Sequence, residues 1–501
     1  MATVTSNHKA CTVNPLKMSQ PLGAALAFMG LNNCMPTLHG SQGCTSFGLV
    51  LFVRHFREMI PMQTTAMNEV TTILGGMDNI EQAIMNIWER AKPDVIGLAS
   101  TGLTETKGDD VEAYLKLIRA KHPEIAGMAI VYASTPDYVG AFQDGWSKAV
   151  VRIVQELAVP CLSIQANRVN VLPGSHLTPG DIAEIREIIE AFGLNPVFIP
   201  DISGSLDGHI PDDFTPTTLG GTTLEQLHTM GTARATIAIG EQMYAAAIEL
   251  EMKAGVPYTL FDRLTGLEAN DNFMQYLSKL SGKEVPMKYR RQRSQLQDAM
   301  LDAHFFTGGK KVAIGAEPDL LWSLGSFLTE MGCELAAVVT TTKSPLLEKL
   351  PAEEVLIGDL EDLENRAKDC DLLVTHSHGR QMADRLKIPF LRYGLPTFDR
   401  LGTAHKVTVG YRGTRDFVFE IGNTFLANTH EATPNTWVNS QVSPQTNTQA
   451  QSACATEGSC GSCQSVADIH NLAETLDLVK PHDLAKPQDL VKPIAQQAAF
   501  S

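Results

Sequence analysis

Residues 310–342 read KKVAIGAEPDLLWSLGSFLTEMGCELAAVVTTT. The stretch begins with a short apolar run (310–317), continues with a longer one at helical spacing from Pro318, and ends in a second run, ELAAVVTTT. That is strand, helix, strand. The pattern continues downstream: DLEDLENRAKDC reads as a helix, DLLVTHS as a strand and IPFLRYG as another. Buried strands alternating with amphipathic helices imply a parallel sheet covered on both faces.

The same grammar appears twice upstream. PDVIGLAST (93–101) follows the helical NIEQAIMNIWERAK and precedes DDVEAYLKLIRAKH; MAIVYAST (128–135) and the long amphipathic AFQDGWSKAVVRIVQELA come next. NRVNVLPG (167–174) then leads into TPGDIAEIREIIEAFGL and the strand NPVFIPDIS. Thr178 and Pro179 suit a helix start, and Gly193 suits its end. The expected fold class is α/β, with three Rossmann-like doubly wound domains on parallel sheets, at 1–158, 159–303 and 304–436. In such folds ligands sit beyond the carboxyl ends of strands. No complete GxGxxG follows any of these strands, which argues against a tightly held dinucleotide. From residue 437 to 501 the composition turns polar and ends in a six-residue repeat, DLVKPH, DLAKPQ, DLVKPI (477–494). Proline in each copy prevents a long helix, and three short copies cannot bury a core, so a flexible tail is expected.

The chain has 501 residues, is 44% hydrophobic, and carries a formal net charge of -16. That sign argues against nucleic acid, which needs a positive footprint. One basic run, KYRRQR (288–293), reads as the solvated face of a helix. The nine cysteines are odd in number and mostly scattered, which suggests a reducing compartment rather than a disulfide framework. The polar N-terminus shows no signal peptide and no run reaches membrane-spanning length, so a cytoplasmic protein is expected.

In MPTLHGSQGCTSFGLV (35–50), Cys44 ends a glycine-rich turn and begins a helical-looking run. Free backbone N–H groups at a helix start favour a thiolate, which suits metal binding or nucleophilic attack. The competing reading is a buried cysteine acting as a small hydrophobe. A nucleophile would need a base, and His39 is near in sequence; a zinc site would need further ligands at short spacing, which are lacking. An iron–sulfur cluster needs about four ligands. If Cys44 holds one, most of the others must come from another polypeptide.

Five segments carry a resemblance: PLKMSQPLGAALAFMGL, MPTLHGSQGC, VRHFREMIPMQTTAMNEV, DISGSLDGH and RRQRSQLQDAMLDAHF. Together, and in this order, they resemble the nitrogenase component-one superfamily over about residues 14–430. Within it the chain is most similar to the β-like subunits of the NifEN scaffold, on which the iron–molybdenum cofactor is assembled. The catalytic β subunits of the family supply three cysteines to an eight-iron P-cluster; here those positions read Ser19, Cys44 and, in STGLTETKGDD, about Gly102. One retained thiolate fits the scaffold, whose 4Fe–4S cluster takes three cysteines from the NifE-like α partner and one, Cys44, from this side. The resemblance further implies an α2β2 heterotetramer without a turnover reaction of its own. It implies a cofactor precursor held mainly by the partner, and transient docking of the NifH iron protein near the shared cluster. The alternatives are a nitrogenase β-type subunit with an altered P-cluster and a subunit of a dark-operative tetrapyrrole reductase.

Other candidates have plainer readings. Cys34 is taken as a core or turn cysteine; Cys161, Cys333 and Cys370 lie beside apolar runs and are expected to be buried. In THSHGR (375–380), His376 and His378 would point the same way on an extended strand end, where a metal could bind both; ordinary hydrogen bonding is the preferred reading. Cys454, Cys460 and Cys463, with His470 seven residues on, form a further possible metal or cluster site in the tail, against the reading of an incidental CxxC.

Overall fold

The structure is a computed structural model, and it describes residues 2–6, 9, 12–161 and 163–428. The expected tail, 437–501, together with Cys454, Cys460, Cys463 and His470, lies outside the described residues, as does Cys11.

A four-residue strand, β1 (Thr3–Ser6), opens the described chain. The first sheet then forms from β2 (Cys34–His39), β3 (Gln63–Thr64), β4 (Val95–Ser100) and β5 (Ala129–Ala133), all parallel in the order β3-β2-β4-β5. Its helices are α1 (Gln20–Met29), α2 (Gln42–Phe56), α3 (Glu69–Leu74), α4 (Met77–Ala91), α5 (Gly102–Lys107), α6 (Val111–Lys121) and α7 (Phe142–Leu157). β2 and β4 are buried along their whole length, as covered parallel strands must be. Gly97 in β4 leaves room for Phe28 of α1 to lie on the strand, since a Cβ there would sit 2.1 Å from the ring.

The second sheet is β6 (Gln165–Pro173), β7 (Asn195–Phe198), β8 (Ala233–Ile239) and β9 (Tyr258–Phe261), in the order β7-β6-β8-β9. With it run α8 (Pro179–Ala191), α9 (Leu224–His228), α10 (Tyr244–Ala254), α11 (Leu267–Ser281) and α12 (Met287–Thr307). The start of α8 follows the sequence: the Thr178 side chain accepts the Asp181 N–H, and Asp181 accepts the Thr178 N–H in return, both at 3.0 Å. Gly193 takes φ 75° just past its end. The basic run lies on α12, where Arg290 pairs with Glu284 at 2.6 Å and Arg293 with Asp271 at 2.7 Å, within the chain's own charge balance.

The third sheet holds β10 (Lys311–Ala316), β11 (Glu334–Thr340), β12 (Glu354–Ile357), β13 (Leu372–Thr375) and β14 (Phe390–Arg392), with α13 (Pro318–Glu330), α14 (Leu360–Arg366), α15 (Arg380–Leu386) and α16 (Gly410–Asn428). Its order is β1-β12-β11-β10-β13-β14, again parallel. β1 therefore pairs with β12, Thr3 opposite Glu354, rather than with the first sheet. The stretch 1–158 thus contributes to two sheets.

Candidate functional site

In the first sheet β2 has β3 on one side and β4 on the other, so the chain leaves in opposite directions after β2 and after β4. The two strands end level, with His39 opposite Ser100. The crevice beyond them is the topological switch point where open parallel sheets place ligands. Gly40 and Ser41 follow β2 and lead into the first turn of α2, which holds Cys44; Thr101 follows β4 and leads into α5, which opens at Gly102.

These loops, with the start of α1, enclose a cleft of about 300 Å³ whose walls include Ser19, Gly43, Cys44, Phe47, Thr101 and Asp137. The three positions singled out in the sequence thus come together: Ser19 and Cys44 line the cleft, and Gly102 adjoins it next to Thr101. A Cβ on Gly102 would meet Asp137 Oδ1 at 2.0 Å, so that carboxylate fills the space a side chain would take.

Cys44 stands in the first turn of α2, after the extended N-cap Ser41 (φ -74°, ψ 155°). Its Sγ lies 3.6 Å from Ser41 Oγ. It is half-buried, so its sulfur remains reachable. Ser19 and Ser41 are the N-caps of α1 and α2, and neither side chain caps its helix. The first turns of both helices border the same cleft, and a helix start favours negative charge near it.

A buried clamp joins the two loops. The His39 carbonyl accepts the hydroxyls of Thr101 at 3.0 Å and Thr104 at 3.1 Å. Its ring places Nδ1 2.9 Å from Thr65 Oγ1 and Nε2 3.5 Å from Asp109 Oδ2. Burial lowers His39 to about 4 despite Asp109, so the ring is neutral at physiological pH. Gly40 is required here, because a Cβ would come within 2.3 Å of Thr101 Oγ1. Sequence reasoning noted His39 only as a candidate base and missed Thr101, Thr104 and Asp109; the threonines at helix-start spacing were the available signal.

The other sulfurs stand apart. Cys34 is fully buried in β2, and burial pushes its thiol up. Cys333 and Cys370 are buried as expected, with thiols raised to about 12 and about 11. Cys161 departs from that expectation: it sits half-buried in the coil between α7 and β6, its thiol 3.8 Å from the Ser163 carbonyl. The two-histidine geometry also fails, because the chain after β13 turns into a 3₁₀ segment, Ser377–Gly379, instead of staying extended. His376 Nε2 bonds the Leu16 carbonyl at 3.1 Å, and Nδ1 accepts the His378 N–H at 3.4 Å, so backbone groups take both nitrogens. Among the described residues no three His, Cys, Asp or Glu side chains gather as metal ligands. For a 4Fe–4S cluster, this donor set supplies one thiolate, beside the Asp137 carboxylate, and fits a cluster completed from outside the chain.

α2 buries an apolar face and exposes a mixed one, with Gln42, Ser46 and Arg54 beside Phe47 and Val50. Thr45, Gly48, Phe52 and Phe56 turn inward, and Gly48 lets α2 approach Leu22 of α1. Phe47 and Val50 lie on the outer side, 62% and 57% exposed, with half-buried Cys44 on one flank of the helix and Val53, 42% exposed, on the other. No helix among the described residues is long and apolar enough to cross a membrane.

A family model for nitrogenase component 1 type oxidoreductases matches residues 19–426. The chain is 59% identical over 468 residues to a Bradyrhizobium diazoefficiens protein named nitrogenase iron-molybdenum cofactor biosynthesis protein NifN, covering 92% of this chain and 100% of that one. A Nostoc protein of the same name is 55% identical, covering 85% of this chain and 96% of the relative. Among solved structures, one described as nitrogenase Cp1 at pH 6.5 superposes with a TM-score of 0.80 at 34% identity, over 84% of this chain and 94% of that one. The chain belongs to the nitrogenase component 1 type oxidoreductase family, and within it groups with the NifN cofactor-biosynthesis proteins.

Proposed function

We propose that the chain is the β-like subunit of a scaffold for assembling the nitrogenase iron–molybdenum cofactor. In this reading it joins a NifE-like α subunit in an α2β2 heterotetramer in the cytoplasm. Cys44 gives one thiolate to a 4Fe–4S cluster shared across the contact, and the partner supplies the remaining thiolates and holds most of the cofactor precursor. Such a cluster carries single electrons. This chain's residues would hold one corner of it, position that corner through the His39 clamp, and surround it with the N-termini of α1 and α2.

The observation that carries the reading is the single reachable sulfur at the switch point, one turn from the exposed Phe47 of α2. A cleft built to hold a cluster alone would bring its own sulfurs; this one offers Ser19 and Gly102 at the matching places. Transient docking of the NifH iron protein is supported by α3, whose Val70, Ile73 and Leu74 are 61%, 81% and 81% exposed and which packs beside α5 at the cleft.

The test is Cys44→Ala, co-expressed with the partner. Iron per αβ pair should fall by about four atoms, one cluster, with loss of its visible absorbance. A complex that keeps its full iron and spectrum would remove Cys44 from this role.

A further inference from the structure

Among the described residues that line the Cys44 cleft, one bears a formal charge, Asp137; the rest are apolar residues, glycine, serine, threonine and the cysteine itself. Asp137 lies in the segment after β5, the strand next to β4. It is exposed, and its carboxylate has no hydrogen bond or ion pair among the described residues. The start of α5 is shaped around it. A Cβ on Gly102 would lie 2.0 Å from Asp137 Oδ1, 2.7 Å from Cγ and 3.0 Å from Oδ2, so the carboxylate rests against the glycine. Other charges of the region are engaged: Glu105 accepts the hydroxyls of Ser100 and Ser134, Asp144 accepts the Ala141 N–H at 2.7 Å, and Lys107 pairs with Asp109 at 2.5 Å.

An unpaired carboxylate in a cleft shared with a thiolate acts on any charge that enters there. Taking up one electron from a reduced one-electron donor adds a unit of negative charge to an iron–sulfur cluster and breaks no bond to this chain. A fixed negative charge close by opposes that addition and lowers the reduction potential. A cleft of about 300 Å³ is about 8 Å across if taken as a sphere. Over that distance, at a dielectric between that of a surface ion pair and that of water, one unit charge changes the ratio of reduced to oxidised cluster by about threefold to tenfold.

We propose that Asp137 tunes the cluster at Cys44: its carboxylate, seated on Gly102 in the same cleft, lowers the reduction potential without binding iron. The inference rests on the Cys44 reading above. That reading already supplies four thiolates, so the carboxylate is not needed as a ligand. Its effect is selection of the donor, since a lowered potential admits electrons from a strongly reducing partner and not from weaker ones.

Reductive titration of the co-expressed complex with dithionite, followed by the paramagnetic resonance signal of the reduced cluster, tests this. Asp137→Asn keeps the size and loses the charge. It should raise the midpoint by about 30–60 mV, which is threefold to tenfold at about 59 mV per factor of ten for one electron, with iron content unchanged. Asp137→Glu restores the charge and should stay within about twofold of the wild type, about 20 mV. Asp213→Asn, which removes another exposed carboxylate in the segment after β7, should leave the midpoint in place. An unmoved or lowered midpoint in Asp137→Asn overturns the proposal. So does loss of cluster iron from that variant, which would make Asp137 a ligand or a structural support. Iron that does not depend on Cys44 overturns the cluster reading and this one with it; full, Cys44-dependent iron with an unmoved midpoint overturns this one alone.

Discussion

At Glu317 the protein keeps a carboxyl where burial penalises its charge. Gln143, Thr341, Asp144 and Lys17 act on it, and the balance raises it from 4.5 to about 8. Between those values the unfolded chain releases a proton that the folded chain retains, so this group makes stability fall as pH rises, by at most about 1.4 kcal/mol per pH unit. Glu317→Gln removes that contribution. The variant's urea midpoint, compared with the wild type's, should shift in its favour from pH 5 to pH 8; a constant difference would show that Glu317 does not titrate in this way. His39 and His376 have the opposite sign. Burial holds each at about 4, below the unfolded 6.5, so the unfolded chain takes up protons first and stability is lost as pH falls from 6.5 towards 4. His39→Gln should flatten that acid limb in the same denaturation series. At this scale the sequence was legible where chemistry is local: the glycines before Cys44 and the helix after it marked the turn. The groups facing Glu317 and His39 were illegible, because they arrive from distant loops with no short-range spacing.

Helix packing shows what the elements demand of single residues. α1 crosses α7 with almost no separation: a Cβ on Gly145 would lie 1.9 Å from the Gln20 carbonyl oxygen, and one on Gly23 1.9 Å from the Phe142 carbonyl oxygen. Both obstacles are backbone, so neither can rotate away. Gly145→Ala gains about 1 kcal/mol of helix propensity, but overpacking of this kind costs about 1–3 kcal/mol or more. The clash is with backbone, so the cost should sit at or above the upper end of that range and the net effect be a loss of about 2 kcal/mol or more, seen as a lower denaturation midpoint. Gly127→Ala, with nothing within 4 Å of the new atom, is the matched control and should stay within about 0.5 kcal/mol of wild type. The long periodic helices and all-apolar strands were readable because burial on both faces leaves a continuous hydrophobic run. β1 was not: its four residues, TVTS, lie at a sheet edge with only partial burial, so they carry no alternation to detect. The turn after β13 escaped for a related reason, since a three-residue 3₁₀ segment is shorter than any period.

On the whole molecule, each of three parallel sheets has a switch point, and that of the first sheet opens on the cleft beside α2. It presents Cys44 on α2 near Phe47 and Val50, two large apolar side chains left open. If a partner covers them, Phe47 and Val50 bury most of the surface they now expose. Full burial of such side chains is worth about 1.5–3 kcal/mol each. At 62% and 57% exposure, the pair would contribute about 2–4 kcal/mol to association. Replacing both with serine should therefore weaken the complex by roughly a hundredfold, at 1.4 kcal/mol per factor of ten. Met252→Ser makes the control, because Met252 is 71% exposed but belongs to α10, beside the second sheet. The measurement is the fraction of co-expressed partner retained on this chain as the complex is diluted, together with its iron. Phe47→Ser/Val50→Ser should shed partner and iron together while Cys44 stays in place; Met252→Ser should shed neither. If the double variant held its partner and its iron at the wild-type dilution limit, the outer face of α2 would not be the seam between the subunits, and the thiolate beside it would have to be completed from another direction.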